Sequence, residues 1–125
     1  MRVDRIDHLV LTVADLDRTV AFYSDVLGME HVTFSDGRSA VHFGASKFNL
    51  HVAGHEFEPK ALRPGPGTAD LCLIVEGRLE HVIDELIAHR VPIEEGPVSR
   101  TGARGPMQSV YLRDPDGNLI ELSVY

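Results

Sequence analysis

The stretch "HLVLTV" at residues 8–13 decides the fold, because it returns as "DLCLIV" at residues 70–75, an offset of 62 (70 − 8). Both stretches alternate and are rich in Val, Leu and Ile, so each reads as a strand, the first reaching back to residue 4. Each is followed by a helical pattern. After the first, Asp15 caps "DLDRTVAFYSDVLG" (15–28), which puts Leu16, Val20, Tyr23 and Leu27 on one stripe, and Gly28 stops it. After the second, "GRLEHVIDELIAHR" (77–90) buries Leu79, Val82, Ile83 and Leu86.

Three short strands then close each unit. In the first they lie near 29–35, 39–44 and 46–53, with "SDGRS" and "GAS" as turns. In the second they are a Pro-bounded "VPIEEGPV" (91–98), then "MQSVYLR" (107–113) and "NLIELSVY" (118–125), the last two joined by an Asp-Pro-Asp-Gly turn. The aperiodic "GHEFEPKALRPGPG" (54–67) reads as a linker. The expected organisation is therefore α+β, with two tandem βαβββ modules: residues 1–53, a linker 54–67, and residues 68–125. The second module is longer, and the excess is expected in "SRTGARGPM" (99–107), read as a Gly-rich loop carrying Arg100 and Arg104.

Composition narrows the function classes. The chain has 125 residues, 43% of them hydrophobic, which suits one folded domain. A net charge of -7 argues against nucleic acid or an anionic membrane as the main partner. No apolar run reaches membrane-span length, "MRVDRIDHLV" lacks the layout of a signal peptide, and the single cysteine, Cys72, forms no internal disulfide. A reducing cytoplasm is the expected setting.

Alternation assigns faces. Leu9, Leu11 and Val13 oppose His8, Val10 and Thr12; Leu71, Leu73 and Val75 oppose Asp70, Cys72 and Ile74. Leu50 and Val52 oppose Asn49 and His51, while Ile120, Leu122 and Val124 oppose Leu119, Glu121 and Ser123. The aliphatic faces should cover helices. The mixed faces then carry His8, His51, Asp70 and Glu121, one per strand, with His51 matched to Glu121 in the repeat. Neutral imidazoles with carboxylates suit a divalent first-row metal such as zinc, nickel, manganese or iron. A mixed face can also simply meet water, and Asp70, at a strand start, also reads as a turn acid. His42 and its matched Tyr111 are candidate acids, bases or orienting groups. His31, His55, His81 and His89 read as surface residues, and Cys72 as a small buried residue rather than a nucleophile.

With "DHLVLTV" early, "FYSDVLGM" ending the first helix and "DPDGNLIEL" near the end, the chain resembles the vicinal oxygen chelate superfamily over essentially its whole length. Its middle segments resemble more closely the glyoxalase domain-containing protein 5 type. The resemblance implies two modules paired into a cupped open barrel, with His8, His51, Asp70 and Glu121 at the four metal-ligand positions. This chain reads His, His, Asp, Glu there, where glyoxalase I has His, Glu, His, Glu. Extradiol dioxygenases use two His and one Glu, and bleomycin-type members bind their drug without a catalytic metal. Three functions follow as expectations: a metal-dependent glyoxalase-like lyase or isomerase, an Fe(II) dioxygenase, or a metal-free binding or resistance protein. Arg100 and Arg104 would suit an anionic substrate. A homodimer is expected, since an unpaired open sheet would expose its edges.

Overall fold

The computed structural model of the chain describes residues 1–125, which divide into two compact units, Met1–Thr68 and Ala69–Tyr125. Unit 1 contains β1 (His8–Val13), α1 (Leu16–Ala21), β2 (Glu30–Phe34), β3 (Arg38–Phe43) and β4 (Ser46–Val52). Unit 2 contains β5 (Asp70–Ile74), α2 (Leu79–Ala88), β6 (Glu95–Gly102), β7 (Gly105–Arg113) and β8 (Leu119–Val124). The fold is α+β, with the βαβββ order in each unit. The sheets have matching strand orders, β1-β4-β3-β2 and β5-β8-β7-β6. In each, the first and last strands pair in parallel and the remaining pairs are antiparallel.

Sequence explains the helix ends. The Asp15 carboxylate accepts from the Arg18 backbone N–H at 3.0 Å, satisfying one of the donors that a helix start leaves free. After Ala21 the helix widens into a π turn, Phe22–Val26. Gly28, at φ 68°, then reverses the chain; its N–H donates to the Ser24 carbonyl and that of Met29 to the Tyr23 carbonyl. This bend buries Tyr23 with its ring edge on Phe48, centroids 5.7 Å apart.

The aliphatic strand faces form the two cores. Leu11, Val13, Val41, Phe48 and Leu50 are buried in unit 1, where α1 lies against β4. Leu79, Val82 and Leu86 of α2 are buried in unit 2, as are Val110, Leu112, Ile120 and Leu122 of the sheet. Each such side chain contributes about 1.5–3 kcal/mol. Leu9 departs from the pattern and stays 40% exposed, in the exposed first half of β1. No helix is long and apolar enough to cross a membrane.

Three places differ from expectation: β1 begins at His8 and not at residue 4, the strand expected at 91–98 is Glu95–Gly102, and the segment after it is paired. Residues 99–107 are not a loop: β6 and β7 form a hairpin in which Gly102 pairs with Gly105 across a two-residue Ala103–Arg104 turn. Arg100 is therefore a strand residue. The β6 register slips between Glu95 and Val98, where a bulge at Gly96 and Pro97 inserts one extra residue.

Candidate functional site

In unit 2, pairing fixes what shares the mixed face. Cys72 lies opposite Glu121 on β8, and Glu121 lies opposite Tyr111 on β7. Ser123 neighbours Ser109 in the same way, and Val98 and Arg100 of β6 join the face opposite Ser109 and Met107. The bulge then returns Glu95 to this face, opposite Tyr111.

Two hydrogen-bonded groups occupy it. The first runs through Ser123, fully buried, whose Oγ lies 3.2 Å from the Cys72 Sγ, 2.7 Å from the Ser109 Oγ and 3.3 Å from Glu121 Oε1. A carboxylate only accepts, so Ser123 spends its one proton on Glu121, and Ser109 and Cys72 must donate to Ser123. Desolvation pushes the Cys72 thiol upward and the Glu121 charge adds to the effect, which keeps the thiol a protonated donor. Cys72 is exposed, not the buried residue that the sequence suggested.

The second group centres on Arg100. Its Nε–H donates to the Tyr111 hydroxyl oxygen at 2.9 Å, one terminal nitrogen to Glu95 Oε1 at 3.1 Å, and the other to the Ser99 carbonyl at 3.1 Å. The hydrogen bond with Tyr111 raises the guanidinium pKa, and Glu95 adds to the rise. Arg104 sits apart at the hairpin tip, its backbone N–H on the Tyr125 hydroxyl and its guanidinium over that ring.

Unit 1 presents the equivalent face with different chemistry. His8 Nδ1 lies 2.8 Å from Asp7 Oδ1, and that hydrogen bond holds the Asp7 carboxyl below its usual value. The carboxylate accepts, so Nδ1 donates, as the outer nitrogen of a metal-binding histidine does. His51 is buried against the edge of Phe57, whose ring also carries the Arg38 guanidinium at 4.1 Å. Burial first, then Arg38, lower the His51 pKa, so the ring is neutral at pH 7. His42 is half-buried on the same face, opposite Lys47 and Glu30.

Register corrects the matching of the repeat. Asn49 pairs with Val10 and Glu121 with Cys72, and Val10 and Cys72 each lie two residues past the first residue of their strands. The position equivalent to Glu121 is therefore Asn49, and His51 is equivalent to Ser123. Likewise Ala40, opposite Asn49, is equivalent to Tyr111, and His42 is not. The expected matches were two residues out along the strand, a slip that preserves the face and changes the level.

The slip bears on a metal. His51 lies opposite Thr12, four residues from His8, or roughly 13 Å along the strand at about 3.3 Å per residue. His8 and His51 therefore lie at different levels of the sheet and are not cross-strand neighbours. Asp70 and Glu121 are two positions apart on paired strands and share a face, which suits a divalent cation. No three of the chain's His, Cys, Asp and Glu side chains gather into a complete site. Within unit 2 the donors that fit by chemistry are Asp70 and Glu121, and unit 1 by itself offers His8. Parity placed Ser123 on this face without a role, and composition and parity missed Glu95, Ser109 and Asp7; for Asp7, its place beside His8 was the available signal.

A model of the Glyoxalase/Bleomycin resistance protein/Dioxygenase superfamily matches residues 5–122. The chain is 56% identical to a virulence protein of Salmonella typhimurium, over all of this chain and 87% of that protein. The crystal structure of that protein superposes with a TM-score of 0.99, covering 100% of this chain and 99% of the other. A glyoxalase domain-containing protein of Mycosarcoma maydis is 51% identical over the whole chain and 70% of its own length. The crystal structure of a lactoylglutathione lyase from Agrobacterium tumefaciens is 25% identical, with a TM-score of 0.75 over 98% of this chain and 95% of that one. With βαβββ units and a match over nearly its full length, the chain belongs to the glyoxalase, bleomycin resistance protein and dioxygenase superfamily.

Proposed function

We propose that the chain is a metal-dependent, glyoxalase-like lyase or isomerase for a small substrate with two neighbouring oxygens, working on the mixed face of unit 2. The observation that carries this reading is Glu121, a half-buried carboxylate opposite the Tyr111 phenol and steadied by Ser123. Similarity to a lactoylglutathione lyase structure supports it. Asp70 and Glu121 are the unit 2 donors assigned to a divalent zinc, nickel, manganese or iron ion, with His8 and His51 the candidate donors that unit 1 offers. Such an ion polarises the substrate oxygens when bound.

The chain's own groups move the protons. Glu121 takes the proton from the carbon bearing the substrate hydroxyl and returns it to the neighbouring carbonyl carbon. Tyr111 gives its O–H proton to the former carbonyl oxygen and recovers one from the former hydroxyl oxygen. Substrate and product share one formula, so no oxidant is consumed. The setting proposed is the cytoplasm, and the exposed outer strand β1, with Leu9 and Val10 uncovered, supports a homodimer.

The test is isomerisation of the glutathione–methylglyoxal hemithioacetal by untagged protein, with metal content measured by elemental analysis. Turnover that chelation removes and a divalent metal restores is expected. Oxygen uptake with catechols would move the assignment to a ring-cleaving dioxygenase. Neither reaction, with no bindable metal, would move it to a binding protein.

A further inference from the structure

We propose that Arg100 is a positioning residue for Tyr111 and not an anchor for an anionic substrate. The inference rests on the reaction assigned above and specifies how its acid is held. Three of the five guanidinium N–H donors of Arg100, one on each nitrogen, are committed within the protein and fix its orientation: Nε–H to Tyr111, and the terminal nitrogens to Glu95 and the Ser99 carbonyl. The phenol oxygen accepts from Nε–H, so the Tyr111 proton is directed elsewhere, on the strand face that carries Glu121. Glu95 completes the arrangement by fixing the guanidinium from the far side.

The bulge is what makes the arrangement possible. With regular pairing onward from Val98 opposite Ser109, Gly96 would lie opposite Tyr111; the extra residue puts Glu95 there. Gly96 has φ 112°, and a side-chain carbon added to it would come within 2.6 Å of the Ser109 carbonyl oxygen. A local irregularity that tolerates only glycine thus delivers a carboxylate to Arg100, which delivers a hydrogen bond to Tyr111. Arg104, by contrast, has its backbone and guanidinium on Tyr125 and takes no part.

Two readouts test the proposal. In 15N NMR of the whole chain, the Arg100 Nε–H should exchange slowly with solvent and lose that protection in Y111F and in E95Q. Free exchange in the wild type would overturn the proposal. In hemithioacetal kinetics, R100A should lower kcat by about tenfold or more while KM stays within about threefold, and should add nothing in a Y111F background. R100K, which keeps the charge without the Nε geometry, should behave like R100A; it also serves if R100A fails to fold. A raised KM with kcat preserved, rescue by R100K, or losses that add to those of Y111F would each overturn it. A wild type that protects Arg100 but turns over no hemithioacetal refutes the assigned reaction alone and upholds the contact.

Discussion

The two units repeat one fold and diverge at each position where chemistry is available. Glu121 and Tyr111 of unit 2 correspond in unit 1 to Asn49 and Ala40, an amide and a methyl group. Ser123, which steadies Glu121, corresponds to His51, which unit 1 covers with Phe57 and Arg38. The Asn49 Oδ1 is buried without a hydrogen-bond partner, whereas the equivalent Glu121 oxygen accepts from Ser123. Strand order and register are thus shared, and only unit 2 sets a carboxylate opposite a phenol. His8 and Asp70 are the exception, since both units begin their first strand with a metal-competent side chain.

The largest effects should expose this asymmetry. E121Q keeps the shape and removes the base, so kcat should fall on the order of 10²- to 10⁴-fold, whereas N49D should change it by less than about twofold. Comparable losses from the two variants in a hemithioacetal assay would mean that both faces work.

The hairpin turns differ in the same sense. Unit 2 joins β7 to β8 through Asp114, a buried carboxylate that accepts from the Asp116 and Asn118 backbone N–H groups at 2.9 Å and from Asn118 Nδ2 at 2.7 Å. Asn118 Oδ1 in turn accepts from the Ala69 N–H, tying in the start of β5. Unit 1 joins β3 to β4 through Gly44 and Ala45, with Gly44 at φ 51°. D114A should therefore cost about 3 kcal/mol or more, and G44A about 1 kcal/mol, in urea unfolding followed by circular dichroism. Equal costs would show that the carboxylate cage adds nothing to the turn.

The smallest effect concerns pH. The His51 pKa is lowered in the folded chain, chiefly by burial, with Arg38 and Lys60 opposing protonation and Glu56 favouring it. Below the ordinary value of 6.5 the unfolded chain binds the proton more readily, so stability is intact above 6.5 and declines as pH falls towards the folded value. Urea midpoints at pH 7.5 and 5.5 should differ more for the wild type than for H51Q. An equal difference would remove His51 from the account.

Much of this was legible in the sequence. The repeated strand–helix order, the Asp15 cap, the Gly28 stop and the face of each strand followed from periodicity and capping chemistry. The level along the strand did not, because side chains repeat every two residues and a two-residue slip leaves the alternation unchanged. Matching His51 to Glu121 on ligand chemistry therefore gave the right face and the wrong partner. The β6–β7 hairpin was hidden for another reason: "SRTGARGP" has the Gly, Pro and polar content of a loop, and its pairing comes from β7. Bulges leave no periodic trace, so the contact of Glu95 with Arg100 could only be seen in three dimensions.

The most direct test of the central claim is paramagnetic broadening by Mn(II) in the 15N spectrum of the whole chain. The account predicts that resonances of Asp70, Tyr111 and Glu121 broaden at substoichiometric metal. Broadening centred on His51, with Glu121 unaffected, would contradict it.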